Sequence, residues 1–445
     1  MEEVTNSCWN LMEKPVADRS IKNFQYNEFK ENNISNISEN ENYEITIKAN
    51  NYILLKKAYL HVKSKIVNPD NKLVTVSNNG INDFSTAMLF YENKEIERVE
   101  HLGVTTTIAS LVDFSGDVSS KTASNMCWYL DTTDKASKQR FSYDENNKAT
   151  KLKDADVTIE NVLTKLKHNP NFNEGFLSRW QLTRDGKDLE KFIPLSRIFR
   201  FCRDIDKVLT GEIKIQLRKN TVKNILHGED NQNYNYQITY LSAWVPELEP
   251  SLETKLKVEK LFLSNHLGLS YGWNYVNGYR STLQTTIDGS WRVTNMVDKV
   301  SGIYVVFSGI KRDQNYKNSS MVFNNMNLQS IHASVNNKQY PTKPYECNFT
   351  PNNINYMRLY NQFLEAGQNS IDEGTCISYI DFGLLYPIIY FDLTKQQEEL
   401  EFQSTEIIIN WRLREQPAEN YYLFGVVESE KIVNVNFLDK RILLS

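Results

Sequence analysis

Six histidines, five cysteines and 55 acidic residues could supply catalysis or metal binding in this 445-residue chain, but their spacing assembles neither. The histidines, at 61, 101, 168, 227, 266 and 332, are dispersed. They form no His-Glu-x-x-His and no near-neighbour ligand pair. The cysteines, Cys8, Cys127, Cys202, Cys347 and Cys376, stand singly. An odd count without Cys-x-x-Cys spacing speaks against a disulfide framework and against a zinc site, so reduced thiols of a cytosolic or nuclear protein are expected. There is no Gly-x-x-x-x-Gly-Lys-Ser/Thr loop, no Gly-x-Gly-x-x-Gly and no Gly-x-Ser-x-Gly elbow. Asp381 falls near the end of an apolar run read as a strand, and Glu398, Glu399 and Glu401 form a charged run read as a solvated face. A glycosidase needs two carboxylates flanking one bond, and nothing here selects a pair. No catalytic residue, no cofactor and no metal is therefore expected.

Binding chemistry is equally sparse. Lys151, Lys153, Lys165 and Lys167 cluster with Arg179 and Arg184, but Asp154, Asp156 and Glu160 interleave and read as a solvated loop. The net charge of -4 argues against a general nucleic-acid binder. Trp180, Trp244, Trp273, Trp291 and Trp411 suit core or subunit-interface anchors better than ligand platforms. Asn-x-Ser/Thr sequons begin at Asn33, Asn36, Asn318 and Asn348, as accidents of an Asn-rich chain. No run of about 18 apolar residues is present, so no membrane span is expected. Met1 to Lys14 lacks the basic start and apolar stretch of a signal peptide.

The elements around these residues are mostly strands. Aromatics are 12% of the chain, and they fit a pleated, half-buried surface. Period-two alternation predicts strands at Tyr43–Ile47, Leu60–Val67, Ala87–Tyr91, Lys94–Val99, Glu212–Leu217 and Tyr234–Trp244. Asn78-Asn79-Gly80 reads as a turn and Glu92-Asn93 as a hairpin connection. Leu102–Phe114 reads as a helix weakened by Thr105-Thr106-Thr107. Phe192–Phe201 suggests a short helix entering a strand. Residues 115–157 read as a long surface loop with an apolar piece at Met126–Leu130. Residues 1–40 are polar and read as an arm, ordered only if docked.

A short hinge, Trp244 to Pro250, divides two strand-rich halves of similar size. Beyond it Leu252–Leu263 fits helix or strand. Strands are predicted at Ser281–Ile287, Gly302–Phe307, Leu328–Val335, Thr375–Phe382, Pro387–Leu393, Ser404–Leu413 and Tyr421–Val427. Asn352–Ala366 has near-3.6 spacing and a stop at Gly367, the pattern of a helix. No sequence-level repeat relates the halves.

Several segments resemble one family. The Ile193-Pro194-Leu195-Ser196-Arg197-Ile198-Phe199-Arg200-Phe201-Cys202-Arg203-Asp204-Ile205-Asp206-Lys207-Val208 block is the most specific. Phe90 to Arg98, Leu217-Arg218-Lys219-Asn220, Tyr240 to Pro246 and Tyr386 to Gln396 accompany it. Together they resemble the double jelly-roll, hexon-like major capsid proteins of the Polinton/Maverick and adintovirus-like group, over about residues 43 to 436. The chain departs from that pattern at Arg200, where relatives carry a small residue, and over 115–157, which does not align.

The resemblance implies an all-β fold of two tandem eight-stranded jelly rolls, 41–246 and 251–445, with short helices in inserted loops and an N-terminal arm, 1–40. It implies a homotrimeric, pseudo-hexameric capsomer that tiles an icosahedral shell around a DNA genome. Partners would be neighbouring copies, penton or minor capsid proteins and, non-specifically, packaged DNA. The place would be the virion capsid, assembled in host cytoplasm or nucleus. Loops 115–157 and 265–292 would be tower or lateral-contact elements. The arm would clamp neighbours at the inner face. Asp206 would satisfy buried backbone donors. The alternatives are a β-sandwich carbohydrate- or protein-binding protein retained by a host, an enzyme, and a spike or fibre.

Overall fold

The computed structural model describes residues 19–33, 37–67, 74–133, 141–143, 149–151, 173–228, 234–264, 269–297, 299–309, 314–350, 353–367, 374–394, 405–436 and 441–444. Alternating side chains build the first lobe. In β2 (Asn42–Lys48), Tyr43, Ile45 and Ile47 point inward and their neighbours outward. The same period runs through β3 (Tyr59–Val67), β4 (Phe84–Tyr91) and β7 (Glu212–Lys219). With β1 (Ile21–Lys30), β5 (Lys94–Val99), β6 (Leu189–Pro194) and β8 (Asn235–Pro250) they form two antiparallel sheets, ordered β1-β8-β3-β6 and β2-β7-β4-β5. Burying one face of each sheet against the other gives a sandwich whose core includes Ile45, Leu60, Val62, Leu89, Ile215 and Leu241.

The second lobe repeats the plan. Its strands are β9 (Leu269–Arg280), β10 (Asp288–Val297), β11 (Val300–Gly309), β12 (Leu328–Val335), β13 (Lys338–Glu346), β14 (Ile389–Asp392), β15 (Thr405–Leu413) and β16 (Tyr421–Asn436). They pair as β9-β16-β11-β14 and β10-β15-β12-β13. Adding eight to every label of the first lobe reproduces this order, which is that of a jelly roll. Even a hairpin is shared. Glu92-Asn93 joins β4 to β5 and Asn336-Asn337 joins β12 to β13, all four residues at positive φ. Such left-handed pairs match the twist of two-residue hairpins.

The helices lie in the connections: α1 (Leu102–Asp113), α2 (Glu174–Thr183), α3 (Leu195–Ile198), α4 (Arg200–Asp204), α5 (Leu252–Ser264), α6 (Met357–Ala366) and α7 (Tyr379–Leu384). The threonines of α1 do not break it, because Thr106 Oγ1 donates to the Leu102 carbonyl at 2.7 Å and every threonine is buried. α6 stops at Gly367 as its sequence predicts.

Several sequence expectations need correction. Trp244 to Pro250 is no hinge: it is the last part of β8, paired with β1 from Lys30–Ser242 to Ile21–Pro250. Proline is tolerated there because β3 has ended, and the Pro246 carbonyl still accepts from Leu54 N at 3.2 Å. By the same pairing, residues 21–30 belong to a sheet and not to a 1–40 arm. β1 is an edge strand wet on both faces, so its sequence shows no buried alternation. Around Phe192 the order is reversed, with strand β6 entering helices α3 and α4.

Residues 265–292 are not one loop, since β9 and the start of β10 lie in them and Ser281–Ile287 is their connection. Thr375–Phe382 is not a strand. Its end is α7, whose N-cap Ser378 Oγ accepts from Asp381 N at 3.1 Å. Leu252–Leu263 resolves as helix. Residues 115–157 are less loop-like than expected. Gly116–Ser120 is a helical turn, Trp128 is buried with its indole N–H on Ser119 Oγ at 2.9 Å, and Phe141–Tyr143 pairs with Ala149–Lys151. Residues 1–18, 134–140, 144–148, 152–172 and 265–268 lie outside the described residues, and with them parts of the arm and tower expectations.

Candidate functional site

The densest chemistry lies where the two lobes meet. At the end of β5 the chain turns through His101, at φ 48°, into α1. This turn seats β9. Glu100 N donates to Asn277 Oδ1 at 3.0 Å, and Tyr275 Oη donates to the Arg98 carbonyl at 2.9 Å. Gly278 is demanded by the approach, since a Cβ there would lie 2.4 Å from Thr105 Oγ1 and 2.5 Å from the Glu100 carbonyl. Rings complete the contact, Phe201 edge-on to Trp273 at 5.2 Å and His101 edge-on to Phe424 at 5.4 Å.

Beside these rings is a charged cluster from α1, α3, α4 and β16. Asp113 faces Arg197 at 3.3 Å, Arg200 at 3.5 Å and Arg203 at 3.6 Å. Arg200 also reaches Glu428 of the second lobe at 3.9 Å, and Asp204 Oδ2 accepts from Asn274 N at 3.0 Å. Buried Glu97 accepts from Arg200 N at 2.9 Å and Phe201 N at 2.8 Å, and so caps α4. Burial pushes the Glu97 carboxyl up to about 8 and Glu428 up to about 7. Asp113 is also raised by burial, despite its arginines.

A second polar knot lies deeper. Arg179 and Asp131, both 0% exposed, pair at 2.6 Å. The guanidinium also donates to the carbonyls of Val76 at 2.9 Å and Tyr129 at 2.5 Å. Asp131 takes Ser319 Oγ at 2.6 Å on its carboxylate and Tyr386 Oη at 3.0 Å on its carbonyl, both from the second lobe. Burial alone would raise Asp131, but Arg179 holds it below the usual carboxylate range. Asn82 Nδ2 meets Ser320 Oγ at 3.3 Å, and Gly228 N donates to the Tyr316 carbonyl at 2.7 Å. Gly80 of the Asn-Asn-Gly turn is buried here, where a Cβ would lie 2.2 Å from the Met126 carbonyl. Lys191, also buried, pairs with Asp83 beneath Tyr236.

The charged groups of both clusters pair with one another, and what they do is fix the lobes, while the buried Trp273 indole N–H has no hydrogen-bond partner among the described residues. The sequence-level candidates are placed accordingly. Arg179 is core, not part of a basic surface, while Arg184 stacks over Trp180 at 5.6 Å. Trp273 and Trp411 are buried anchors. Asp381 lies in the first turn of α7, where its carboxylate accepts from the capping Ser378 Oγ at 2.6 Å. Asp206 is a correction: its side chain is 58% exposed and pairs with its exposed neighbour Lys207, at 3.1 Å. The buried acceptor is Glu97, which the sequence hides as a charge inside an alternating strand. Cys127, Cys202 and Cys347 are buried free thiols, and Cys376 is half-buried. Among the described residues no cluster of His, Cys, Asp and Glu is arranged to hold a metal ion, and no helix is long and apolar enough to cross a membrane. Lys153, Lys165, Lys167, Glu398, Glu399, Glu401, His168, His266 and Cys8 lie outside the described residues.

Among the described residues, Leu252, Leu256 and Leu261 of α5 are exposed, and two further apolar surfaces stand out. The outer face of β1-β8-β3-β6 carries linked rings, with Tyr26–Tyr59 at 5.7 Å, Tyr59–Phe192 at 5.5 Å, Tyr59–Trp244 at 6.5 Å and His61–Phe192 at 4.6 Å. On the second lobe, Ile354, Met357, Ile380 and Leu384 project from α6, α7 and the segment before α6.

Curated proteins offer no match to the chain. Solved structures do. The cryo-EM structure of the Sputnik virophage matches with TM-score 0.60 at 11% identity, over 99% of this chain and 92% of that one. The Faustovirus major capsid protein matches with TM-score 0.57 at 9% identity, over 97% and 93%. The mavirus major capsid protein matches with TM-score 0.51 at 9% identity, over 99% and 94%. At such identities the likeness is one of fold, and it spans both lobes. The double jelly roll-like domain family matches residues 157–433, more than half of the sequence, from within the first lobe almost to the end of the second, and the chain belongs to that family.

Proposed function

We infer that this protein is a viral major capsid protein, a structural block without enzymatic activity. One observation carries the reading: two complete jelly rolls of identical strand order are locked together by a buried seam. Two similar lobes per chain suit a homotrimer with six near-equivalent lobes, which can sit among six neighbours in an icosahedral facet around a DNA genome. The fold neighbours from Faustovirus and mavirus are themselves major capsid proteins, which supports a place in the virion capsid. The block from Ile193 to Val208 supports membership of the Polinton/Maverick and adintovirus-like group. The domains run 41–246 and 251–445, with β1 added to the first. Penton or minor capsid proteins, and packaged DNA at the inner surface, are the further partners of this reading, with assembly in host cytoplasm or nucleus.

Light scattering on the purified protein, with negative-stain images of the same sample, tests it. The expected result is a species near three times 51.9 kDa with a pseudo-hexagonal outline. A monomer that never assembles at any concentration would overturn it.

A further inference from the structure

Within the chain, one lobe covers the other in a definite way. The segment between β5 and β6 supplies α1, whose first turn lies on the outer face of β9-β16-β11-β14, next to Arg200. That face is aromatic with a carboxylate at its edge: Tyr304 stacks on Tyr390 at 4.6 Å, with Phe424 and Glu428 beside them. The cover is complete enough to leave Tyr304 5% exposed.

The equivalent face of the first lobe, β1-β8-β3-β6, is built alike. Tyr59 and Phe192 occupy the strands corresponding to those of Tyr304 and Tyr390, and Glu28 and Glu190 stand among the rings. Tyr240 Oη bonds the Glu28 carboxylate and His61 the Glu190 carboxylate, the latter at 2.6 Å. Yet nothing in the chain covers this face among the described residues, and Phe192 and Tyr26 are 36% and 39% exposed. The second lobe has the matching surplus. Between β13 and β14, where the first lobe carries α1, it carries α6 and α7. Ile380 and Leu384 of α7 are 64% and 65% exposed. Each lobe thus has one aromatic sheet face and one helical segment after its fifth strand. One face and one helical segment are joined inside the chain, and one of each is left over.

We propose that the leftover pair joins between copies: α6 and α7 of one copy dock on the aromatic face of β1-β8-β3-β6 of the next. The occupant is a second copy of this chain, because the joint has the same topology and ring chemistry as the one already formed within it. The two surfaces differ, so the contact is head-to-tail, and in the trimer it closes into a ring of three. This assignment rests on the capsomer reading and names the surfaces that make it. Exposed aromatics on a preformed sheet are the residue types that dominate association energy.

Phe192→Cys and Ile380→Cys chains with different tags, mixed and reassembled, test it with a short bis-maleimide. The expected product is a covalent species carrying both tags, absent when either cysteine is omitted. Phe192→Asp and Leu384→Asp should each raise the concentration for half-dissociation of the oligomer by about tenfold or more. Both positions are exposed, so the variant monomers should keep the wild-type circular dichroism. Trimers that give no mixed-tag product and ignore both Asp substitutions would overturn this choice of surfaces and leave the capsomer reading standing. A wild-type monomer at every concentration would overturn both.

Discussion

Glu97, 1% exposed, holds the amides of Arg200 and Phe201, and burial keeps its carboxyl near 8. Between its ordinary 4.5 and 8 the native state binds a proton that the unfolded chain has released. Its contribution is therefore full below 4.5 and falls as pH climbs through 8. Glu428, raised to about 7, adds in the same direction. Denaturation midpoints should be lower at about pH 9 than at about pH 6. Glu97→Gln turns an NH2 toward one of the two amides and should cost about 1–3 kcal/mol at the lower pH. It should also flatten the fall, and a fall as steep as wild type would place the titrating group elsewhere. Arg179→Ala strands Asp131 in the core and should cost about 3–5 kcal/mol, whereas Asp206→Ala, on the surface, should stay within about 0.5 kcal/mol. Urea melts of the two variants side by side check the ranking.

Among the elements, the β9 edge against the start of α1 is the most demanding contact. Gly278→Ala places a methyl where Thr105 Oγ1 and the Glu100 carbonyl already stand, and should cost about 1–3 kcal/mol. Thr105→Ala should not rescue it fully, because the carbonyl remains. Thermal melts of the single and double variants measure both effects. The strands with one dry and one wet face, such as Tyr43–Ile47 or Leu328–Val335, were legible because alternation reports a single buried face. β1 was illegible because an edge strand wet on both faces carries no such period. Residues 375–382 misled because aromatic and β-branched residues read as strand, while the Ser378 cap decided for helix locally. Of the seam, the block from Ile193 to Val208 supplies Arg200 and Phe201, but the sequence offered it only as a family resemblance. Its partners on β9 and β16 lie far away in sequence, and only folding pairs Asn277 with Glu100 or Ser319 with Asp131.

As a whole molecule the protein should melt as one unit, although it contains two complete sandwiches. Polar knots and rings cross the seam, so neither lobe can open without exposing Asp131 or Trp273. Calorimetry should give a single transition with van't Hoff and calorimetric enthalpies equal, and two separated transitions would show a weak seam. Phe201→Ala and Trp273→Ala should couple by about 0.5–1.5 kcal/mol in a double-mutant cycle. β8 runs unbroken from the first lobe's sheet to Pro250, and after Ser251 alone the chain enters α5. Force applied to one lobe is thus carried as tension along a hydrogen-bonded strand and as shear across a buried seam. On the capsomer reading, the elastic weak points then fall between blocks, and a shell under internal pressure would yield along its joints before a single tile flexed.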